Sequence, residues 1–334
     1  MDDKIPGQYW RAFFEFAASA GASDSVNAEQ RPVLREMEEE DRAFLRAALA
    51  KYAKDTDPIV RMKALLDQLV DLSSRDLTEE QTERAAESLF QLTELCGFGD
   101  LAVDFCRIGG VRLLTHFVLH DNEQLKAQAL ELAGELCQNN PDCQNTLTSV
   151  HFLPLLMRLL NEESSELVRQ KTLYALSSLT RGNRPVERLF CESDGITKLI
   201  YQMSFPRLAA KACFMLANIV DSMPEYKGVA CEQQAMETLV ELCKESNDTT
   251  LQEQALNALL SVVKCCPQAI KVAQQKKNII RSTLDTVLAR LEEDTDSADL
   301  VELCTKIIRC CYPEERQLNR GDLKKPMHAK GETN

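Results

Sequence analysis

Residues Val168 to Leu179 read VRQKTLYALSSL, and the apolar positions Leu173, Leu176 and Leu179 fall three apart, on one side of a helix. Four other stretches repeat this form: Arg84 to Leu95 (RAAESLFQLTEL), Leu125 to Leu136 (LKAQALELAGEL), Leu208 to Ile219 (LAAKACFMLANI) and Leu251 to Val262 (LQEQALNALLSV). Their stripes are Leu89, Leu92, Leu95; Leu130, Ala133, Leu136; Cys213, Leu216, Ile219; and Leu256, Leu259, Val262. The first members of the five stripes stand 41, 43, 40 and 43 residues apart in chain order. Five copies at so even a period mark a chain built from one supersecondary unit, each copy burying its apolar face on the next.

A period of about 42 belongs to helical armadillo or HEAT units. Punctuation between the stripes decides between them. After Cys96 come Gly97 to Asp100, then Val103 to Ile108, then a Gly109-Gly110 break before Val111 to Leu119. Asn139-Asn140-Pro141 opens the next interval, Arg184-Pro185 and Asp194-Gly195 punctuate the third, and Pro224 and Gly228 the fourth. Proline starts a helix and cannot continue one, and glycine ends one. The spacing predicts a short helix, a glycine hinge, an apolar helix and a long amphipathic helix in each unit. The fold class is therefore all-α, an armadillo-type right-handed superhelical solenoid of about five three-helix repeats over residues 79–278. Residues 31–78 read as an N-terminal helical cap, with helices Glu36 to Lys54 and Pro58 to Leu72, and residues 279–312 as a C-terminal cap. Residues 1–30 read as a flexible segment with a short aromatic helix, and 313–334 as a disordered tail.

Composition agrees. The 334 residues hold 12 Gly and 11 Pro, about 7% together against about 12% in an average chain, which disfavours sandwiches, propellers and collagen-like sequences. Formal net charge is -13, which argues against nucleic acid and anionic membrane surfaces as partners. No apolar run reaches the roughly 20 residues of a membrane helix, and Met1-Asp2-Asp3-Lys4 has no basic and apolar leader pattern. The expected location is the cytoplasm, and the nucleus as well.

Thirteen cysteines, an odd number without any Cys-x-x-Cys spacing, read as small apolar residues in helix seams rather than a disulfide framework. His116 and His120 stand four apart, but no acidic or Cys partner sits at a helical offset beside them, so no metal site is expected. Neither a phosphate-binding loop, a dinucleotide fingerprint nor a nucleophile elbow appears. The chain reads as a non-enzyme with no cofactor.

A binding surface is the better reading. In armadillo solenoids the third helix of each unit lines the concave groove, and its off-stripe positions form ladders. One row is Phe90, Glu131, Tyr174, Phe214 and Asn257; the row four residues on is Glu94, Glu135, Ser178, Asn218 and Ser261. Aromatic rungs such as Tyr174 and Phe214 suit hot spots for a protein partner. Tyr9, Trp10, Phe13, Phe14 and Phe16 place five of the chain's aromatics in eight positions, as a segment another protein could bind.

Several pieces in fixed order carry a resemblance: Ile5-Pro6-Gly7-Gln8 ahead of the aromatic helix, Ala102 to Cys106 (AVDFC), Gln138-Asn139-Asn140, Val168 to Ser177, and Pro224 to Gly228 (PEYKG). Over roughly residues 5 to 312 the chain resembles the Hsp-binding-protein and Fes-type family of armadillo nucleotide exchange factors for 70-kDa heat-shock chaperones. The resemblance implies a monomer whose concave face grips one lobe of the chaperone's ATPase domain, displaces the other and promotes ADP release, without binding nucleotide itself. It implies groove roles for Ala102, in the loop after the first repeat, and for Lys171, Tyr174, Lys211, Phe214 and Asn218. The family's usual Asp-Asn before that alanine is Asp100-Leu101 here. The family's N-terminal segment helps eject bound polypeptide, and Tyr9 to Phe16 match it. The alternative is a peptide-binding adaptor of the nuclear-import type, whose ladder pairs Trp with Asn four residues apart. Here only Phe214 and Asn218 approximate that pair, and the sole Trp is Trp10.

Overall fold

A computed structural model describes residues 39–55, 57–74, 76–245, 248–292 and 298–313. The aromatic segment Tyr9 to Phe16 and residues 314–334 lie outside them. The chain divides after Thr56 into two units. In the first, the described element is α1 (Glu39–Asp55).

Among the described residues of the second unit the regular elements are all helices. It opens with α2 (Pro58–Asp71) and α3 (Glu79–Cys96), followed by α4 (Gly99–Arg107), α5 (Gly110–Val118) and α6 (Glu123–Cys137). The same short, short, long order recurs in α7 (Pro141–Ser149), α8 (Phe152–Glu162) and α9 (Glu166–Thr180), and in α10 (Arg184–Glu192), α11 (Gly195–Gln202) and α12 (Pro206–Ser222). It continues in α13 (Lys227–Glu232), α14 (Ala235–Glu245) and α15 (Thr249–Val263), and a last trio, α16 (Pro267–Gln275), α17 (Lys277–Glu292) and α18 (Ala298–Cys311), follows with a long second helix. The repeats thus phase as five complete three-helix units, α4 to α18, behind the pair α2 and α3.

Local chemistry sets the boundaries. The side chains of Thr78, Asn122, Ser165 and Asp248 accept backbone N–H bonds at the starts of α3, α6, α9 and α15, where the first turn has orphan donors. Pro141, Pro206 and Pro267 open α7, α12 and α16. Between first and second helices the chain turns through one left-handed residue: Gly109, His151, Asp194 and Gln234, with φ of 90°, 60°, 65° and 61°. The expected glycine hinge therefore holds only at Gly109; elsewhere packing imposes the corner on non-glycine residues at about 1 to 2 kcal/mol each. Gly195 serves another need, since a Cβ there would lie 2.5 Å from the Phe190 ring.

The stripes form the core. Of their fifteen positions fourteen are buried, and Leu95 is half-buried. Long helices pack on one another in series, α3 on α6, α6 on α9, α9 on α12, α12 on α15 and α15 on α18. Buried polar side chains on the first helices satisfy carbonyls at the ends of third helices: Gln144 Nε2 donates to Ser178 O (2.9 Å) and Arg181 O (3.0 Å), and Lys227 Nζ to Lys264 O (2.8 Å). All thirteen cysteines are free, and ten are buried.

Candidate functional site

The buried stripes fix the rotation of α6, α9 and α12, and so decide which side chains stand on the opposite face. On α6 these include Glu131 and Glu135, on α9 Lys171 and Tyr174, and on α12 Lys211, Phe214 and Asn218, all half-buried. Tyr174 is the centre. Its ring lies against Gly134, where a Cβ would come within 2.3 Å of Cε1, so glycine is what admits it. Its hydroxyl lies 2.9 Å from Gln138 Oε1 and 3.1 Å from Glu135 Oε2. Lys171 Nζ donates to Glu131 Oε2 at 2.5 Å on the same joint.

Across the other joint, Lys211 Nζ sits 4.5 Å from the centroid of the Tyr174 ring. Two more cations repeat that contact between α9 and the α12 side: Arg181 Cζ is 4.9 Å from the Phe214 centroid, and Arg169 Cζ 3.9 Å from that of Phe205. Burial pulls the Lys211 ammonium below its ordinary range, the Lys171 charge adds to this, and Glu131 opposes it. Burial, with the Glu135 carboxylate beside it, pushes the Tyr174 phenol up to about 12. The face thus carries carboxylates on α6 and cations with rings on α9 and α12, which suits a protein surface with both charges.

Not every expected rung belongs to it. Ala102 is no loop residue: it lies in α4, three before Phe105 on the same buried side, and is 1% exposed. Ser178 is buried as well, in the part of α9 whose carbonyl Gln144 holds. Asn218 does stand on the face, but its Nδ2 donates to Phe214 O at 2.9 Å, back into its own helix. Ser261 is buried and bonds Asp221 Oδ2 at 2.9 Å, while Phe90 on α3 is 48% exposed. Reading the sequence missed Gly134, Arg169 and Arg181. A glycine inside a long helix costs about 1 kcal/mol against alanine, and that cost was the available signal for Gly134.

His116 and His120 form no ligand pair. His120 Nε2 faces Ser74 O at 3.2 Å and its Nδ1 accepts from the Asn122 N–H at 3.0 Å, so both nitrogens hold structure. Among the described residues no group of three or more His, Cys, Asp or Glu side chains could hold a metal, and no single helix is long and apolar enough to cross a membrane.

Residues 101–204 match the family model described as the SIL1/FES1/HPBP1 C-terminal domain. This stretch is similar to that domain. The domain spans α4 to α11 and so includes the joint between α6 and α9, while α12 begins just beyond it. Likeness extends past the domain: Hsp70-binding protein 1 of Mus musculus is 27% identical over 326 residues, 94% of this chain and 89% of that protein. The Hsp70 nucleotide exchange factor FES1 of Saccharomyces cerevisiae is 25% identical over 194 residues, 54% of this chain and 66% of that one. Among solved structures, a designed armadillo repeat protein aligns with a TM-score of 0.60 at 16% identity, covering 74% of this chain and 99% of its own. A second designed armadillo repeat protein, in complex with the peptide (KR)4, gives 0.61 at 14% identity, covering 74% and 98%. The fold is armadillo-type.

Proposed function

We propose that this protein is a co-chaperone of cytosolic 70-kDa heat-shock chaperones, a nucleotide exchange factor that binds their ATPase domain and promotes ADP release. The observation that carries the reading is the likeness to Hsp70-binding protein 1 over 94% of this chain and 89% of that protein. The third-helix face supplies the means. Lys211, Phe214 and Tyr174 offer rings and cations that a partner can cover, with Glu131 and Glu135 beside them.

Exchange of this kind is thermodynamic coupling. A protein that holds the opened, nucleotide-free ATPase domain more tightly than the ADP-bound one must weaken ADP binding by the same factor. Each tenfold of difference corresponds to about 1.4 kcal/mol. The chain then acts as a monomer and needs no acid, base, metal or nucleotide of its own, so the reading is of a non-enzyme. A nuclear-import type adaptor suits the face less well, because a basic peptide would meet Lys171, Arg181 and Lys211.

The test is a pair of calorimetric titrations of the isolated ATPase domain, nucleotide-free and ADP-saturated. The reading expects at least tenfold tighter binding to the nucleotide-free form. Equal affinities would overturn it, and tight binding of a basic localisation peptide would favour the adaptor.

A further inference from the structure

Cys106 on α4 and Cys143 on α7 bring their sulfurs within 3.7 Å across the joint between the first two three-helix units. The two helices pack directly on each other. Cys143 is completely buried, whereas Cys106 is partly exposed, so one residue of the pair reaches solvent and the other does not. A disulfide needs the sulfurs at about 2.05 Å, so forming one requires an approach of about 1.7 Å. The two residues stand 37 apart in the chain, and the segment between them contains α5 and α6, with Glu131, Gly134 and Glu135.

We propose that Cys106 and Cys143 form an oxidant-responsive dithiol that closes into an inter-repeat disulfide when the protein meets a hydroperoxide. The Cys106 thiolate attacks one peroxide oxygen and the O–O bond breaks. This leaves a Cys106 sulfenic acid and an alkoxide or hydroxide, which takes up the proton the thiol released. The Cys143 sulfur then displaces the hydroxyl from Cys106, forming the S–S bond, and water departs with the Cys143 proton. Two thiols and one hydroperoxide give one disulfide, one alcohol (water, for hydrogen peroxide) and one water, the two electrons passing from sulfur to oxygen.

The surroundings favour Cys106 as the starting point. Its hydrogen bond with Cys143 draws the Cys106 thiol below its ordinary range, while burial pushes the nearby Cys96 thiol up to about 12 and raises that of Cys137. Cys231 and Cys266 make a contrasting pair between α13 and the start of α16. They are also hydrogen-bonded, but both are buried, without a solvent-facing member. Cys265 is exposed and serves as a reporter of unselective thiol oxidation.

The test treats the full chain with hydrogen peroxide, alkylates the remaining thiols and maps the peptides by mass spectrometry. The expected result is a Cys106–Cys143 linked peptide in monomeric protein, two fewer alkylated thiols, reversal by dithiothreitol, and slower proteolysis between α4 and α7. In Cys143→Ser the Cys106 sulfenic acid should persist and be trapped by dimedone. Absence of the linked peptide from the wild type under conditions that oxidise Cys265 would overturn the proposal. So would Cys106 proceeding to the sulfinic acid in the wild type as readily as in Cys143→Ser.

Discussion

The two joints that meet at Tyr174 are built differently, although their helices are copies of one repeat. Between α6 and α9 the polar groups satisfy one another: Lys171 pairs with Glu131, the Tyr174 hydroxyl reaches Glu135 and Gln138, and Gly134 lets the ring lie close. Lys126 on α6 also holds Glu163 at 2.7 Å, just ahead of α9. A partner covering this joint would have to compete with bonds already made. At the α9 and α12 joint three cations lie over three rings. Such contacts are worth about 0.5 to 1 kcal/mol when exposed and about 2 when desolvated, so a partner that excludes water strengthens them. The shared stripe builds the fold at both joints, while the off-stripe residues bond to one another at the first and set cations over rings at the second.

The largest effects should ignore this distinction. Leu173→Ala and Leu216→Ala remove fully buried stripe residues on α9 and α12, and each should cost about 2 to 5 kcal/mol in denaturant unfolding. A midpoint near wild type for either would show that the stripe does not carry the fold there. Next, Phe214→Ala should weaken binding of the chaperone ATPase domain about tenfold or more, about 1.4 kcal/mol, at an unchanged melting temperature. Lys171→Ala, at the other joint, should do less; the opposite order would reverse the comparison.

A smaller effect joins the two sides. Gly134→Ala forces the Tyr174 ring off α6 and with it the seat of Lys211, so affinity should fall several-fold, whereas Tyr174→Phe keeps the ring and should bind almost as wild type. Equal losses would place the hydroxyl, not the ring, in the interface. The smallest effect concerns acid. Burial tends to raise the Glu163 carboxyl, but the hydrogen bonds and charge of Lys126 and the N–H groups of Ser165 and Ser164 outweigh it and leave it below its ordinary range. Its contribution is then complete above the unfolded carboxylate range near about 4.3 and is lost as pH falls through the lower folded value. Glu163→Gln should flatten that part of the stability–pH curve; an unaltered acid limb would remove Glu163 from the α6 and α9 joint.

Burial explains what the sequence revealed. The stripes repeat because each long helix must hide the same side, so the period and the helix class could be read from Leu173, Leu176 and Leu179 outward. The last unit escaped because α17 has 16 residues against 8 to 11 in the preceding second helices, which breaks the period before α18. His151 and Asp194 are of types that enter the left-handed region more readily than most, and Asp194 stood at a break read from the sequence, whereas Gln234 carries no local sign of its backbone. At the site, Tyr174 and Phe214 stood out as off-stripe aromatics, while Lys211 came only with the family resemblance. Ala102 misled because helix α4 already runs through it and turns it into the core beside Phe105. Pairings across joints, such as Arg181 on Phe214, follow from tertiary placement that one helix cannot announce.

The most direct measurement is the release of fluorescently labelled ADP from a cytosolic 70-kDa heat-shock chaperone, followed by stopped flow as this protein is added. The account predicts a release rate that rises with concentration to a plateau at least tenfold above the spontaneous rate, and a Phe214→Ala variant that needs more protein to reach it. A release rate unchanged at saturating protein would contradict the account.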